Sequence, residues 1–450
     1  MSPKKLLVLT GVVAVLLAFI VFFERKMPST AESQRKGDLY WDIPSDRLER
    51  ITLSRGGETL EFQRVGTGWK MVKPDPYPAD AFAVNSLATE LAQLKRSGDD
   101  TAEGRPGDYG LDPPAVKATI VWSEAGDPKT KKTRTIEFGK EISGTDVATA
   151  RIEGAPRVLF VPSSTLAAVK KGTDDFRSRE IFGNLAGEVT RLEILRGRGR
   201  LVLNRKEGTW WLAEPIADLA EAAEADRLVG QLTALRARDF IHGGEDLAAL
   251  GLNPPLFRVT VTSAQGAKST ADFGSTRTDG NTVYARHEGQ VQTVEGEIVE
   301  ELSKEAIAFR STALVAFNRG DVTAVEGTFG KKSVTLSQKD GGWTAQGRAV
   351  LAPAADDLLT AILDLKSKSF LDDAQVRDLP AGAATVTIRL KSGAPWTISL
   401  ARQADRTVAR VSSRPGGFAL DADVTAKLEA AFDKAAAPPP APTKAAGGRG

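Results

Sequence analysis

Apolar residues return at the same intervals in three stretches of this chain. Each stretch keeps the spacing of five apolar positions, and the fifth is always a tryptophan. The three sets are Leu48, Ile51, Leu60, Phe62 and Trp69; Val189, Leu192, Leu201, Leu203 and Trp210; and Val322, Val325, Val334, Leu336 and Trp343. Apolar and polar residues alternate around a glycine-rich turn in each set, which predicts antiparallel hairpins with one buried face.

The period of the apolar pattern changes after each tryptophan. Leucine or isoleucine then lies at positions i, i+4 and i+7, which predicts an amphipathic helix packed on the sheet. The three stripes are Leu87, Leu91 and Leu94; Leu228, Leu232 and Leu235; and Leu358, Ile362 and Leu365. An alternating run follows each helix, at 116–120, 257–261 and 386–390, and it predicts that strands resume there.

A Gly-Leu-x-Pro-Pro turn precedes the second set of strands in two of the stretches. It occupies residues 110–114 and 251–255, at an offset of 141 residues. The third stretch has only Leu379-Pro380-Ala381-Gly382 at this place. Proline fixes the backbone angle φ and ends hydrogen bonding at a strand entrance, so we assign these turns a backbone role.

These patterns predict an α+β fold of three tandem repeated units, each an antiparallel sheet with packed helices. A Phe-Arg-Ser motif, at 176–178 and 309–311, closes the first two units. We place the units at 45–185, 186–318 and 319–434, and the third is divergent because it lacks the closing motif. Each is close to the usual domain size of about 100–150 residues.

The N-terminus predicts a transmembrane anchor at residues 6–23. This apolar run of 18 residues is interrupted only by Thr10 and Gly11, and it meets the lower length for a membrane-spanning helix. A cleaved signal peptide is the alternative, but its apolar region is normally about 7–15 residues long and small residues follow it closely. Charged residues follow here, so we predict an uncleaved anchor with residues 1–5 in the cytoplasm and the linker 24–44 in the periplasm.

Composition is consistent with a folded body outside the cytoplasm. Hydrophobic residues make up 41% of the chain and charged residues 26%, as in ordinary globular proteins, so the body can bury hydrophobic cores. The net charge of +2 argues against a general nucleic-acid binder. The absence of cysteine excludes disulfides, thiol catalysis and a lipid attached through cysteine. Residues 435–450, rich in Ala, Pro and Gly, predict a disordered tail.

The sequence offers no pattern typical of an enzyme. His242 and His287 have no histidine at the equivalent place of another unit, and we expect surface or turn histidines. Residues 327–333 have the wrong spacing for a phosphate-binding loop and fit a hairpin turn. Acidic pairs without calcium-loop spacing occur at Asp99-Asp100, Asp174-Asp175, Asp356-Asp357 and Asp372-Asp373. We therefore predict no catalytic residue, no metal ligand and no cofactor.

Residues that the units do not share are the better candidates for contact with a partner. The three repeated tryptophans are expected in the shared core. Trp211 adjoins Trp210 on a predicted strand and should face the opposite side, so it is a contact candidate. Arg196, Arg198 and Arg200 form the densest basic stretch, which suits phosphates or an acidic partner. Their position at a hairpin tip favours a purely structural interpretation.

The order of these motifs resembles a bacterial family called domain of unknown function 4340. The resemblance lies in the Trp-ended hairpin, the helix, the turn Tyr109–Pro114, the strand Ile136–Gly139 and the exit Phe176–Arg179. It covers the first two units well, and the third in its hairpin, helix and strands. The resemblance implies a membrane-anchored periplasmic protein encoded beside an ABC-type transport system related to gliding-motility components. It supplies no catalytic residues.

The leading hypothesis is a non-enzymatic, membrane-anchored periplasmic accessory or scaffold protein that contacts transporter subunits or other envelope proteins. The alternative is a ligand-binding module that holds a glycan or peptide in the clefts between units. An envelope enzyme is the least favoured class. Nucleic acid is not an expected partner.

Overall fold

The computed structural model describes residues 38–437 except 102, 125–126, 184, 186, 245 and 377–383. The predicted anchor at 6–23, the turn remnant at 379–382 and the tail beyond 437 lie outside the described residues. Among the residues that are described, no helix is both long and apolar enough to cross a membrane. The chain divides into two compact units, Met1–Arg179 and Glu180–Gly450, and the second contains two of the three repeats.

The first repeat is an eight-stranded antiparallel sheet with helices packed on it. Two four-stranded meanders meet where β1 pairs with β5, giving the order β4-β3-β2-β1-β5-β6-β7-β8. The strands are β1 Leu48–Arg55, β2 Glu58–Val65, β3 Gly68–Lys73, β4 Tyr77–Pro78, β5 Val116–Glu124, β6 Asp127–Glu141, β7 Val147–Ile152 and β8 Leu159–Pro162. The helices are α1 Ala81–Ala92, α2 Ser163–Lys170 and α3 Thr173–Phe176.

The second repeat has the same topology in the order β12-β11-β10-β9-β13-β14-β15-β16. Its strands are β9 Val189–Arg196, β10 Gly199–Lys206, β11 Thr209–Glu214, β12 Asp218–Leu219, β13 Phe257–Ser263, β14 Lys268–Thr276, β15 Thr282–His287 and β16 Gln290–Glu295. Its helices are α4 Ala222–Ala234 and α5 Glu297–Ser303, and a 3-10 turn at Ala306–Phe309 takes the place of α3.

The third repeat keeps this order and adds one strand, giving β20-β19-β18-β17-β22-β23-β24-β25-β21. Its strands are β17 Val322–Phe329, β18 Lys332–Lys339, β19 Gly342–Ala345, β20 Arg348–Val350, β21 Ser369–Leu371, β22 Ala384–Leu390, β23 Trp396–Gln403, β24 Arg406–Val411 and β25 Gly417–Asp421. Its helices are α6 Ala352–Leu363 and α7 Val424–Ala436, so α7 extends two residues past 434. The α+β fold of three repeated sheets is confirmed.

The core follows the apolar pattern of the sequence. Every repeated apolar position of the hairpins is buried except Trp343, which is half-buried. The indole nitrogen of Trp69 donates to Asn85 Oδ1 at 2.9 Å, and that of Trp210 donates to Asp226 Oδ1 at 2.7 Å. Each tryptophan is thereby tied to the helix that follows it, and a buried indole N–H needs such a partner. Trp69 and Trp210 are core residues, as expected, and Trp343 packs half-buried against the core of the third repeat.

The Gly-Leu-x-Pro-Pro turn packs directly on the Phe-Gly pair of the later strands. Gly110 and Gly251 have φ of +69° and +68°, in the left-handed region that favours glycine. A methyl group on Gly139 would lie 2.2 Å from the Tyr109 carbonyl oxygen, and one on Gly274 would lie 2.2 Å from that of Leu250. The backbone of the turn therefore packs directly against the backbone of the later strand, with no room for a side chain. This contact explains why the Gly-Leu-x-Pro-Pro turn and the Phe-Gly pair occur together.

The Phe-Arg-Ser exit covers the outer edge of the first two sheets. In the first repeat, Asp80 N–H donates to the Phe176 carbonyl at 2.8 Å, and Ser178 N–H donates to that of Pro78 at 2.9 Å. The second repeat repeats both bonds at 2.9 Å, from Glu221 N–H to Phe309 and from Ser311 N–H to Leu219. Phe176 and Phe309 are fully buried. The exit therefore pairs with β4 or β12 as a short additional strand.

Candidate functional site

A cleft of about 440 Å³ lies between the second and third repeats, inside the compact unit Glu180–Gly450. Its walls come from the β10–β11 turn, the segment 316–321 and the β22–β23 loop. Three aromatic side chains, Trp211, Phe317 and Trp396, supply apolar surface. Polar lining groups include Lys206, Glu207, Asn318, Asp321 and Ser392. The size and the mixture of aromatic and polar groups are those of a small-ligand site.

Trp211 lies on the face of β11 opposite to Trp210, as the strand alternation predicts. It is half-buried, because its ring stacks on that of Trp396 with centroids 6.0 Å apart and planes 11° from parallel. It also packs against the apolar core of the third repeat. Part of the predicted contact surface is therefore used inside the chain, and the remainder lines the cleft.

A buried ion cluster joins the same two repeats. Asp218, on edge strand β12, accepts from Arg414 Nε at 2.5 Å and from Arg310 Nε at 2.6 Å. Asp218 and Arg414 have fully buried side chains, and that of Arg310 is 10% exposed. Arg310 belongs to the Phe-Arg-Ser exit and Arg414 to the β24–β25 loop. One carboxylate thus ties together an edge strand, an exit segment and a loop of the third sheet.

The remaining guanidinium hydrogens of the cluster bond to backbone carbonyls. Arg414 donates to Ser311 O at 2.8 Å and to Leu314 O at 3.3 Å, and Arg310 donates to Pro415 O at 3.2 Å. The guanidinium carbon of Arg414 lies 4.4 Å from the centre of the Phe418 ring. Burial lowers the pKa of Arg414 from its ordinary value, while Asp218 opposes this shift. We call this cluster of Asp218, Arg310 and Arg414 the joint, because its charged groups bond to one another and to backbone carbonyls and so hold the two repeats together.

The arginines of the predicted basic patch lie at the opposite end of β10 from the cleft. Arg196 Nη1 donates to the Lys304 carbonyl at 2.7 Å, just past the end of α5. Arg55, its counterpart in the first repeat, donates likewise to the carbonyl of Lys170, the last residue of α2. Arg200 pairs with Glu193 and Glu214 and lowers the pKa of Glu193. Arg198 is exposed on the turn.

We expect Arg196 and Arg198 to differ in their effect on stability. Replacing Arg196 with alanine should lower the free energy of unfolding by about 1–2 kcal/mol, because carbonyls at the end of α5 lose a charged donor. Replacing the exposed Arg198 should change it by less than about 0.5 kcal/mol. Urea unfolding of the two variants measures both values. Equal effects would show that Arg196 does not act through the helix end.

The histidines and acidic pairs do not form a site. His287 is buried on β15, where its Nδ1 donates to the Thr270 carbonyl at 3.1 Å, so the expectation of a surface or turn position was wrong for it. It lies there because its strand position faces inward beside Phe182. The equivalent residues of the other two units, Ile152 and Val411, are apolar and were a signal for this buried place. His242 is exposed in a loop. Within the described parts of the chain, no group of three or more acidic or histidine side chains is arranged to hold a metal ion.

Sequence reasoning missed most residues that distinguish this cleft and joint. Phe317, Trp396, Asp218 and Arg414 have no motif around them, and each acquires its role through contact between repeats. One signal was present for Asp218. It occupies the place of Tyr77 in the first repeat, so it is an acidic residue at a position that is buried and aromatic there.

Comparison with known proteins identifies a family for this chain. A search of curated proteins found no match. The family model described as "Domain of unknown function (DUF4340)" matches residues 69–255 and 242–383. Together these matches span residues 69–383, which is well over half of the chain, and they reach into all three repeats. The chain therefore belongs to this family of domains of unknown function.

Proposed function

We propose that this protein is a non-enzymatic, membrane-anchored periplasmic accessory or scaffold protein that acts with an ABC-type transport system through protein–protein contacts. The observation that carries the proposal is the apolar run at 6–23 ahead of three tandem sheets, which would hold a large body close to the membrane surface. The genomic association implied by the family resemblance points to the transporter as the partner.

The use of polar side chains in the repeats supports a contact role. The repeated arginines Arg55 and Arg196 bond to helix ends, and Arg310 belongs to the joint between the second and third repeats. These groups are engaged in holding the sheets together. Surfaces that differ between repeats are then left to set partner specificity.

Co-purification of the full chain tests this proposal. From membranes dissolved in a mild detergent, the tagged chain should recover ATP-binding and permease subunits. A matched control replaces residues 1–23 with a cleavable signal peptide, which should release the body and reduce the recovery of these subunits. Recovery of the chain alone from the membrane fraction, or its recovery in the cytoplasm, would contradict the proposal.

We propose as a second candidate that the cleft between the second and third repeats binds a glycan or a peptide. The specific observation is the aromatic wall formed by Trp211, Phe317 and Trp396 beside hydrogen-bonding groups. Flat aromatic rings pack against the apolar faces of sugar rings and of extended peptides, while polar groups at the rim fix orientation.

A matched pair of lysines tests the cleft. Lys206 lines it, whereas Lys339 ends the corresponding strand of the third repeat and does not. Titration with a panel of oligosaccharides and extended peptides should quench tryptophan fluorescence, and Lys206→Ala should weaken binding about tenfold if it contacts the ligand. Lys339→Ala should leave binding unchanged. Failure of every member of the panel to bind would refute this candidate.

A further inference from the structure

The outer edge of the third sheet differs from the same edge in the other two repeats. Strands β4, β12 and β20 occupy one position, because each pairs with the strand that carries the shared tryptophan. The Phe-Arg-Ser exit covers β4 and β12, whose residues are mostly buried. Arg348 and Ala349 of β20 are exposed. Among the described residues, no backbone segment pairs with the outer side of β20.

The backbone groups that an added strand would meet can be identified from the register. Val350 pairs with Trp343, and its counterpart Ala220 donates its N–H to the Trp210 carbonyl at 3.0 Å. The backbone hydrogen-bonding groups of these two residues therefore point toward the neighbouring strand inside the sheet. The residues on either side face outward. The Ala349 carbonyl and the Leu351 N–H therefore correspond to the groups of Leu219 and Glu221 that bond to the exit of the second repeat.

The continuation of the chain itself is poorly suited to cover this edge. Ala437 follows the end of α7 and is extended, with φ of −62° and ψ of 139°. Arg177 and Arg310 follow the last helical turn of their repeats in a similar conformation. In those repeats the next residue is a serine whose N–H donates to the edge. Here it is Pro438, which has no N–H, and two more prolines follow.

The side chain at the first edge position contacts the arginine of the exit in both covered repeats. In the first repeat, Arg177 lies 5.8 Å from the Tyr77 ring. In the second repeat, Arg310 pairs with Asp218 at 2.6 Å. The third repeat has Arg348 at this position, so an acidic residue is the complement there. Leu351, which is 49% exposed, offers an adjacent apolar contact.

We propose that β20 is a strand-addition site for an extended segment of a partner protein, with an apolar residue, an acidic residue and then a residue that donates its backbone N–H. Main-chain hydrogen bonds supply binding and Arg348 supplies selectivity, as in other cases where a peptide extends an open sheet edge. The site deepens the proposed contact function and rests on it for the biological partner. The chemistry of recognition follows from the edge alone.

Two peptides derived from this chain test the site on the full chain in mild detergent. One has the sequence of residues 305–312, and the other is the same peptide with Arg310→Glu. Binding is measured by the fluorescence anisotropy of a labelled peptide. The glutamate peptide should bind about fivefold more tightly than the arginine peptide. Arg348→Asp, which reproduces the aspartate of β12, should reverse this preference.

A proline variant separates backbone pairing from side-chain packing. Leu351 is the residue before α6 and has φ of −67°, and Pro162 occupies the same place before α2, so Leu351→Pro fits the backbone. It should weaken the glutamate peptide about tenfold by removing one hydrogen-bond donor. Leu351→Ala keeps the N–H and should retain most of the binding, because it shortens only the apolar side chain.

Three results would overturn the site: no binding of either peptide at millimolar concentration, equal binding of both, or unchanged binding with Leu351→Pro. Removal of residues 438–450 supplies a further check by hydrogen exchange. Protection of the Leu351 amide that disappears on this truncation would identify the tail as the occupant and refute a partner segment. Co-purification of transporter subunits tests the proposed function independently, because that result does not depend on any particular surface of the third sheet.

Discussion

Replacing Asp218 with alanine is expected to lower the free energy of unfolding of the unit Glu180–Gly450 by about 3–5 kcal/mol. The effect is large because Arg310 and Arg414 remain buried without the carboxylate that both contact. Removing one member of a buried ion cluster costs more than the cluster itself contributes, since the remaining charges are left without compensation. Urea unfolding of the full chain, followed by far-ultraviolet circular dichroism, measures the change.

Asp357 supplies the control for this prediction. It pairs with Lys434 at 2.8 Å, and both side chains are more than half exposed. Asp357→Ala should change the free energy of unfolding by less than about 0.5 kcal/mol. Similar small effects of both substitutions would show that the second and third repeats do not depend on the ion cluster.

Replacing Gly274 with alanine is expected to destabilise the second repeat by about 3 kcal/mol. The added methyl group would lie 2.2 Å from the Leu250 carbonyl oxygen, which belongs to backbone that Ser275 N–H holds at 2.8 Å. Neither side can move away without breaking that bond. Thermal unfolding of the variant and the parent chain measures the effect as a fall in melting temperature.

Gly230 provides a control of opposite sign in the same repeat. It lies in the interior of α4, and a methyl group there would meet nothing within 4 Å. Gly230→Ala should raise the free energy of unfolding by about 0.5–1 kcal/mol, because alanine favours the helix. Destabilisation by Gly230→Ala, or tolerance of Gly274→Ala, would contradict the packing described for the turn.

The sequence predicted the fold well where every repeat must bury the same face of a strand or helix. Trp69 and Trp210 fill equivalent sites, and the spacing of apolar residues around them reflects strands and helices that bury one face. Helix ends were predicted less well: Leu94 and Leu235 continue the stripe and are buried, yet α1 and α4 end before them. A stripe of apolar residues reports the buried face, and not whether the backbone is still helical.

The candidate site was much less predictable, because contacts between repeats leave no periodic signal. Trp211 does lie on the face of β11 opposite to Trp210, but its partner Trp396 is 185 residues away along the chain. The position of the basic stretch was easier to predict from the sequence. Its hairpin position was predictable from Arg55, whereas the helix carbonyls that receive Arg196 were not.

The order of elements along the chain has a consequence for protein synthesis. In the first repeat, β4 is made at residue 77, and the serine that bonds to its outer side is made at residue 178. The interval is similar in the second repeat, between residues 218 and 311. Each of these sheets therefore has an unprotected margin during most of its own translation, when pairing with a neighbouring nascent chain is a hazard. The prolines that follow Ala437 suit the same requirement, because residues without a backbone N–H are poor templates for such pairing.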